Sequence, residues 1–69
     1  MKTVYDVQQI LKRFGTFIYT GNRRGDMELM QSEINELFTV GVIDVEEYRL
    51  AILILRGEIN KLNSEKGEK

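Results

Sequence analysis

Four cations, Lys12, Arg13, Arg23 and Arg24, bracket two aromatic residues of the stretch GTFIYTGNRRGD, Phe17 and Tyr19. Proteins that hold single-stranded nucleic acid use this mixture, with cations along the phosphate backbone and aromatic faces stacking on bases. Tyr19 is the stronger stacking candidate, because its hydroxyl tolerates water. Phe17 is the weaker one, because burial competes for its ring. Asn22 is a good helix cap. A helix beginning at Arg23 would bring its dipole and free N–H groups close to Arg23 and Arg24, which suits a phosphate. The same stretch, GTFIYTGNRRGD, also reads as a plain connector between helices. In that reading the arginines pair with carboxylates of a neighbouring helix or a second subunit, and the aromatics close the core.

Other chemistries have weaker support. The chain has neither His nor Cys, so nucleophilic catalysis lacks its usual partners, and Ser32 and Ser64 have no evident base. A structural zinc site is disfavoured for the same reason. Glu33 and Glu36 lie three apart on one helix face and could meet a hard cation, but a solvated acidic face is the ordinary reading. A phosphate loop needs Lys and a hydroxyl after its second glycine, whereas Gly21 is followed by Asn22 and Arg23. The expectation is a non-enzymatic protein with no cofactor and no metal.

The elements that position these residues are helices. The first run, VYDVQQILKRF, places Val4, Val7, Ile10, Leu11 and Phe14 on one helical face. Thr3 is its N-cap, Asp6 puts negative charge in the first turn, and Lys12 and Arg13 put positive charge in the last. Gly15 suits the left-handed residue that ends a helix. The second run carries Met27, Met30, Ile34, Leu37 and Phe38 as its apolar stripe, flanked by Leu29 and Val40. Its cap is Asn22, or alternatively Asp26, with Gly25 weakening the first turn. The third opens with Asp44 as cap and Glu47 at the position of a capping box. Tyr48, Ala51, Ile52, Leu55, Ile59 and Leu62 share one of its faces, and Leu50, Leu53 and Ile54 widen it over most of the circumference. That helix should be central. Gly57 within it costs about 1 kcal/mol relative to Ala and allows local fraying or a close contact.

The expected fold is an all-α, small three-helix bundle with helices over roughly 4–14, 23–40 and 45–62. It makes one domain over 1–62, followed by a disordered polar tail over 63–69. The short Val42–Ile43 connection makes helices two and three antiparallel neighbours. In the longer first connection, Phe17 and Ile18 are too apolar to lie fully in water, so one or both should dock.

A chain of 69 residues hides only about 60% of the surface its unfolded form exposes, and a second copy is a common support at this size. No apolar run approaches the roughly 20 residues that span a bilayer. The start, MKTVYDVQQ, turns polar too early for a signal peptide. No membrane association is expected, and the lack of Cys fits the cytoplasm. The net charge of −1 hides an asymmetry: +4 over 1–24, −7 over 26–47 and +2 over 48–69. The pI near 5.4 argues against a dedicated nucleic-acid binder, while the basic first third favours one. The split equally fits helices that attract one another or a second subunit.

GTFIYTG, LMQSEINELF and GVIDVEEYRLAILILR together resemble the YqgQ-like family of small uncharacterised bacterial proteins, over roughly Tyr5 to Glu58. The resemblance implies a cytoplasmic three-helix protein of Gram-positive bacteria. Single-stranded nucleic-acid binding is the reading attached to the family, and it brings no catalytic residues. Gly25 and Gly57 depart from the helix-friendly residues expected there. The function expected is weak binding of single-stranded RNA or DNA through Lys12, Arg13, Phe17, Tyr19, Arg23 and Arg24. The alternative is a protein–protein interaction module or homodimer.

Overall fold

The computed structural model describes residues 3–67, with 63–67 as backbone only. Three helices make up its regular structure: α1 (Val4–Arg13), α2 (Arg23–Thr39) and α3 (Val45–Gly67). Each begins where a short polar side chain can satisfy free N–H groups. At α1, the Thr3 N–H donates to Asp6 Oδ2 at 3.1 Å. At α2, Asn22 Oδ1 accepts from the Gly25 N–H at 2.8 Å, so Asn22 is the cap and the helix starts at Arg23. At α3, Asp44 Oδ1 accepts from the Glu47 N–H at 2.8 Å.

Helices α1 and α2 stop by the same device. The Gly15 N–H donates to Lys12 O and the Thr16 N–H to Leu11 O, both at 3.0 Å. Likewise the Gly41 N–H donates to Phe38 O at 3.0 Å and the Val42 N–H to Leu37 O at 3.1 Å. These paired bonds define the Schellman ending, which needs a left-handed residue. Gly15 and Gly41 supply it with φ of 79° and 84°.

The core is one cluster to which every helix contributes. Val7, Ile10 and Leu11 come from α1, Met27, Met30 and Ile34 from α2, and Ala51 and Leu55 from α3. Ile43 of the α2–α3 turn closes one end. The pairs linking α2 to α3 fix their direction. Phe38 stacks on Tyr48 with ring centroids 4.3 Å apart, the Tyr48 hydroxyl donates to Asn35 Oδ1 at 2.8 Å, and Arg23 meets Glu58 at 3.1 Å. Positions fall along α2 as they rise along α3, so the two helices are antiparallel.

Three expectations are corrected. Phe14 is 40% exposed rather than core: it is the C-cap of α1, where the backbone has left the helical path, and the Arg13 guanidinium lies 5.7 Å from its ring centroid. Helix α3 is central but not enclosed, since Leu53 is 57% exposed. Two neighbouring helices cover two flanks of a third and leave the remaining one open. Finally, α3 continues past Leu62, where the apolar spacing suggests its end. Residues 63–67 carry no proline, and the helical backbone persists to Gly67, while 68–69 lie outside the described residues.

At Gly57 the helix neither breaks nor touches a neighbour, and nothing lies within 4 Å of where a Cβ would stand. The glycine therefore costs only its backbone entropy. Gly57→Ala should raise unfolding stability by about 1 kcal/mol in urea titration. A neutral or destabilising result would mean that α3 is not continuous there in solution.

Candidate nucleic-acid interface

Residues 16–20, between the end of α1 and the start of α2, form neither helix nor strand, and burial alternates from Thr16 to Tyr19. Ile18 turns inward and packs against the core cluster. Phe17 and Tyr19 turn outward, 76% and 87% exposed. Alternation of this kind puts residues two apart on the same side of the chain. One of the two apolar residues docks, as the sequence suggests, and it is Ile18.

The far end of the segment is held by Asp26. This carboxylate is 5% exposed, and its Oδ1 accepts from the Thr20 N–H at 2.9 Å and from the Thr20 hydroxyl at 2.7 Å. The Thr20 hydroxyl in turn accepts from the Asn22 N–H at 3.3 Å. Asp26 is therefore a clasp on the connecting segment, one turn into α2, and not a helix cap.

Two hollows flank Tyr19. The first, of about 190 Å³, lies between α1 and the connecting segment. Leu11, Ile18 and Met30 form its floor, Phe17 and Tyr19 its outer wall, and Gln8, Gln9 and Lys12 its rim. The second, of about 320 Å³, lies toward the start of α2 and includes Gln8, Tyr19, Arg23 and Asp26. Gln8, Tyr19 and Met30 border both.

The six predicted residues divide accordingly. Lys12, Phe17 and Tyr19 come together around the first hollow, with the Lys12 ammonium 5.9 Å from the Phe17 ring centroid. Arg23 joins Tyr19 at the second. Arg13 and Arg24 border neither. All three arginines are engaged by carboxylates: Arg13 by Glu47 at 3.3 Å, Arg23 by Glu58 at 3.1 Å, and Arg24 by Glu28 at 3.4 Å. Each arginine side chain stays more than half exposed. Exposed pairs of this kind contribute about 0–1 kcal/mol, so the arginines remain exchangeable between carboxylate and another anion.

Sequence reasoning missed Gln8, Gln9 and the role of Asp26. The spacing of Gln8 and Lys12, four apart on one helix face, was the available signal for the first. Nothing local marks Asp26 as buried, since its partner Thr20 lies outside the helix.

By architecture this is a small all-α protein, with three helices and no strand among the described residues. A family model for YqgQ-like proteins matches residues 1–61, and the chain belongs to that family. It is similar to the uncharacterized protein YqgQ of Bacillus subtilis (strain 168), with 41% identity over 61 residues, covering 88% of this chain and 86% of the relative.

The clasp makes a direct prediction. Thr20→Val preserves shape and deletes one hydrogen bond to a buried charged acceptor, so it should lower stability by about 1.5–3 kcal/mol in urea unfolding. A change near zero would mean that water reaches Asp26 and the clasp is loose.

Proposed function

We propose that the protein is a small non-enzymatic module that holds single-stranded RNA or DNA weakly on the surface made by α1, the connecting segment and the start of α2. The observation that carries this reading is the outward placement of Tyr19 and Phe17 beside Lys12. An aromatic ring offers 150–250 Å² of surface to bury, roughly speaking, and folding normally uses it. Here the clasp at Thr20 and the docked Ile18 anchor the segment while both rings stay in water. Bases stacking on them would supply the missing contact in a way that tolerates any sequence.

In this reading Tyr19 and Phe17 stack bases, and Lys12 and Arg23 hold the nearest phosphates. Arg13 and Arg24, further from the rings, extend the positive field. The carboxylates facing the arginines compete with phosphate, which makes the binding weak. No described helix is long and apolar enough to cross a membrane, and a cytoplasmic site of action goes with the proposal. The exposed side chains of Val40, Val42, Val45 and Leu53 favour a second reading, contact with a protein partner or a second copy through apolar surface.

Fluorescence anisotropy with a labelled single-stranded RNA at about 50 and about 200 mM salt separates the two, because phosphate contacts release counterions and weaken steeply with salt. Tyr19→Ala should weaken binding by about 1–3 kcal/mol. Glu58→Gln, which frees Arg23, should strengthen it by up to about 1 kcal/mol. Absence of binding at the lower salt, or equal binding by native protein and the Tyr19→Ala variant, would overturn the proposal.

A further inference from the structure

The first hollow has a chemistry of its own. Its floor of Leu11, Ile18 and Met30 is apolar, and no carboxylate is among the residues that border it. Its rim carries two uncharged amides, Gln8 and Gln9, both exposed on α1. No hydrogen bond engages either amide among the described residues, so their donors and acceptors are available. Lys12, the cation at this rim, faces the Phe17 ring and is not in an ion pair among the described residues. Hollows for drug-sized ligands start at about 300 Å³. One of about 190 Å³ suits a smaller planar group.

These features converge on one class of ligand. A flat heteroaromatic ring can lie on the apolar floor against Tyr19. Its edge then meets amides that offer one donor and one acceptor group each, the pattern that pairs bidentately with adenine. An attached phosphate meets Lys12 with no carboxylate competing for it, unlike the three arginines. Unstacked bases of single strands are recognised in this way, by stacking together with hydrogen bonds to their edges.

We propose that the hollow between α1 and the connecting segment receives a single unstacked nucleobase, read at its edge by Gln8 and Gln9, with the adjoining phosphate on Lys12. This rests on the strand-binding reading and adds a base-recognition site to it. A free nucleoside 5′-monophosphate is then the smallest ligand, and adenine is the base that best fits the amides.

The test is a ¹⁵N-correlation NMR titration of the full chain with three probes: a single-stranded oligoadenylate RNA, AMP, and ribose 5-phosphate. The expected result is that the RNA and AMP both shift the Gln8 and Gln9 side-chain amides and the Ile18 backbone resonance, while ribose 5-phosphate does not. A Gln8→Ala/Gln9→Ala variant, with both changes at exposed helical positions, should bind AMP about tenfold more weakly and keep the native spectrum elsewhere. If the RNA shifts residues around Tyr19 but AMP acts no differently from ribose 5-phosphate, the base site is overturned and strand binding stands. If AMP binds as expected and the RNA does not, the base site stands and strand binding falls. If no probe shifts these residues, both fall, and the hollow is left as a seat for an apolar side chain of a protein partner.

Discussion

A single buried carboxylate sets the shape of the surface around Tyr19. Placing Asp26 out of water is costly unless its oxygens are bonded, and Thr20 meets that demand twice, through its N–H and its hydroxyl. The bond works in both directions. It makes burial of Asp26 tolerable, and it pins the connecting segment to α2 just before Asn22 caps that helix. At the other end, the Schellman ending at Gly15 fixes where the segment leaves α1. Between two fixed ends, Ile18 docks into the core and the alternation of the chain leaves Phe17 and Tyr19 facing water. Their exposure therefore follows from the anchoring of their neighbours and does not signal a loose loop.

The charge split of the sequence takes a specific form in three dimensions. The basic first third and the acidic middle meet in the Arg13–Glu47 and Arg24–Glu28 pairs, and Arg23 reaches across to Glu58 of α3. Two of these pairs tie separate helices together, and each involves one partly shielded carboxylate. The basic face that the sequence suggests is thus partly neutralised where the arginines lie. It survives at Lys12, whose neighbour is an aromatic ring. Electrostatics and stacking overlap at the α1 side of Tyr19 more than at its α2 side, and for that reason the smaller hollow carries the more specific chemistry.

Much of the fold was legible because helices announce themselves locally. Apolar spacing, the caps Asn22 and Asp44 and the terminating glycines Gly15 and Gly41 are all short-range signals, and they placed the helix starts correctly and the first two ends within one residue. What was not legible depended on partners distant in the chain or on space. Phe14 follows the apolar period of α1, yet the helix ends one residue before it, so its ring leaves the core face. The end of α3 is not legible either: the apolar stripe stops at Leu62, but the helical backbone runs on to Gly67 through polar residues that carry no periodic signal. In the site, all the expected residues lie near one another in sequence, but only the fold sorts them. Lys12, Phe17 and Tyr19 meet at the first hollow and Arg23 joins Tyr19 at the second, while Arg13 and Arg24 stand apart. Gln8 and Gln9 were passed over because uncharged amides carry no signal until an apolar floor is seen beside them.

The remaining question is why a core of nine buried apolar residues among the described ones leaves Phe17 and Tyr19 the most exposed of several rings that stay partly in water. A domain of this size hides only about 60% of its unfolded surface, so every ring left in water forgoes stabilisation that is in short supply. Phe17 could have filled the position Ile18 occupies only by shifting the chain one residue. That shift would move Thr20 off Asp26 and leave a buried carboxylate without its donors. The clasp therefore excludes the register that would bury Phe17 and enforces the one that exposes it together with Tyr19. A sequence under pressure for stability alone would replace these rings with polar residues at no cost to the core, since neither belongs to it. Keeping them beside Lys12 and two unengaged amides makes physical sense when a flat, anionic partner completes the surface.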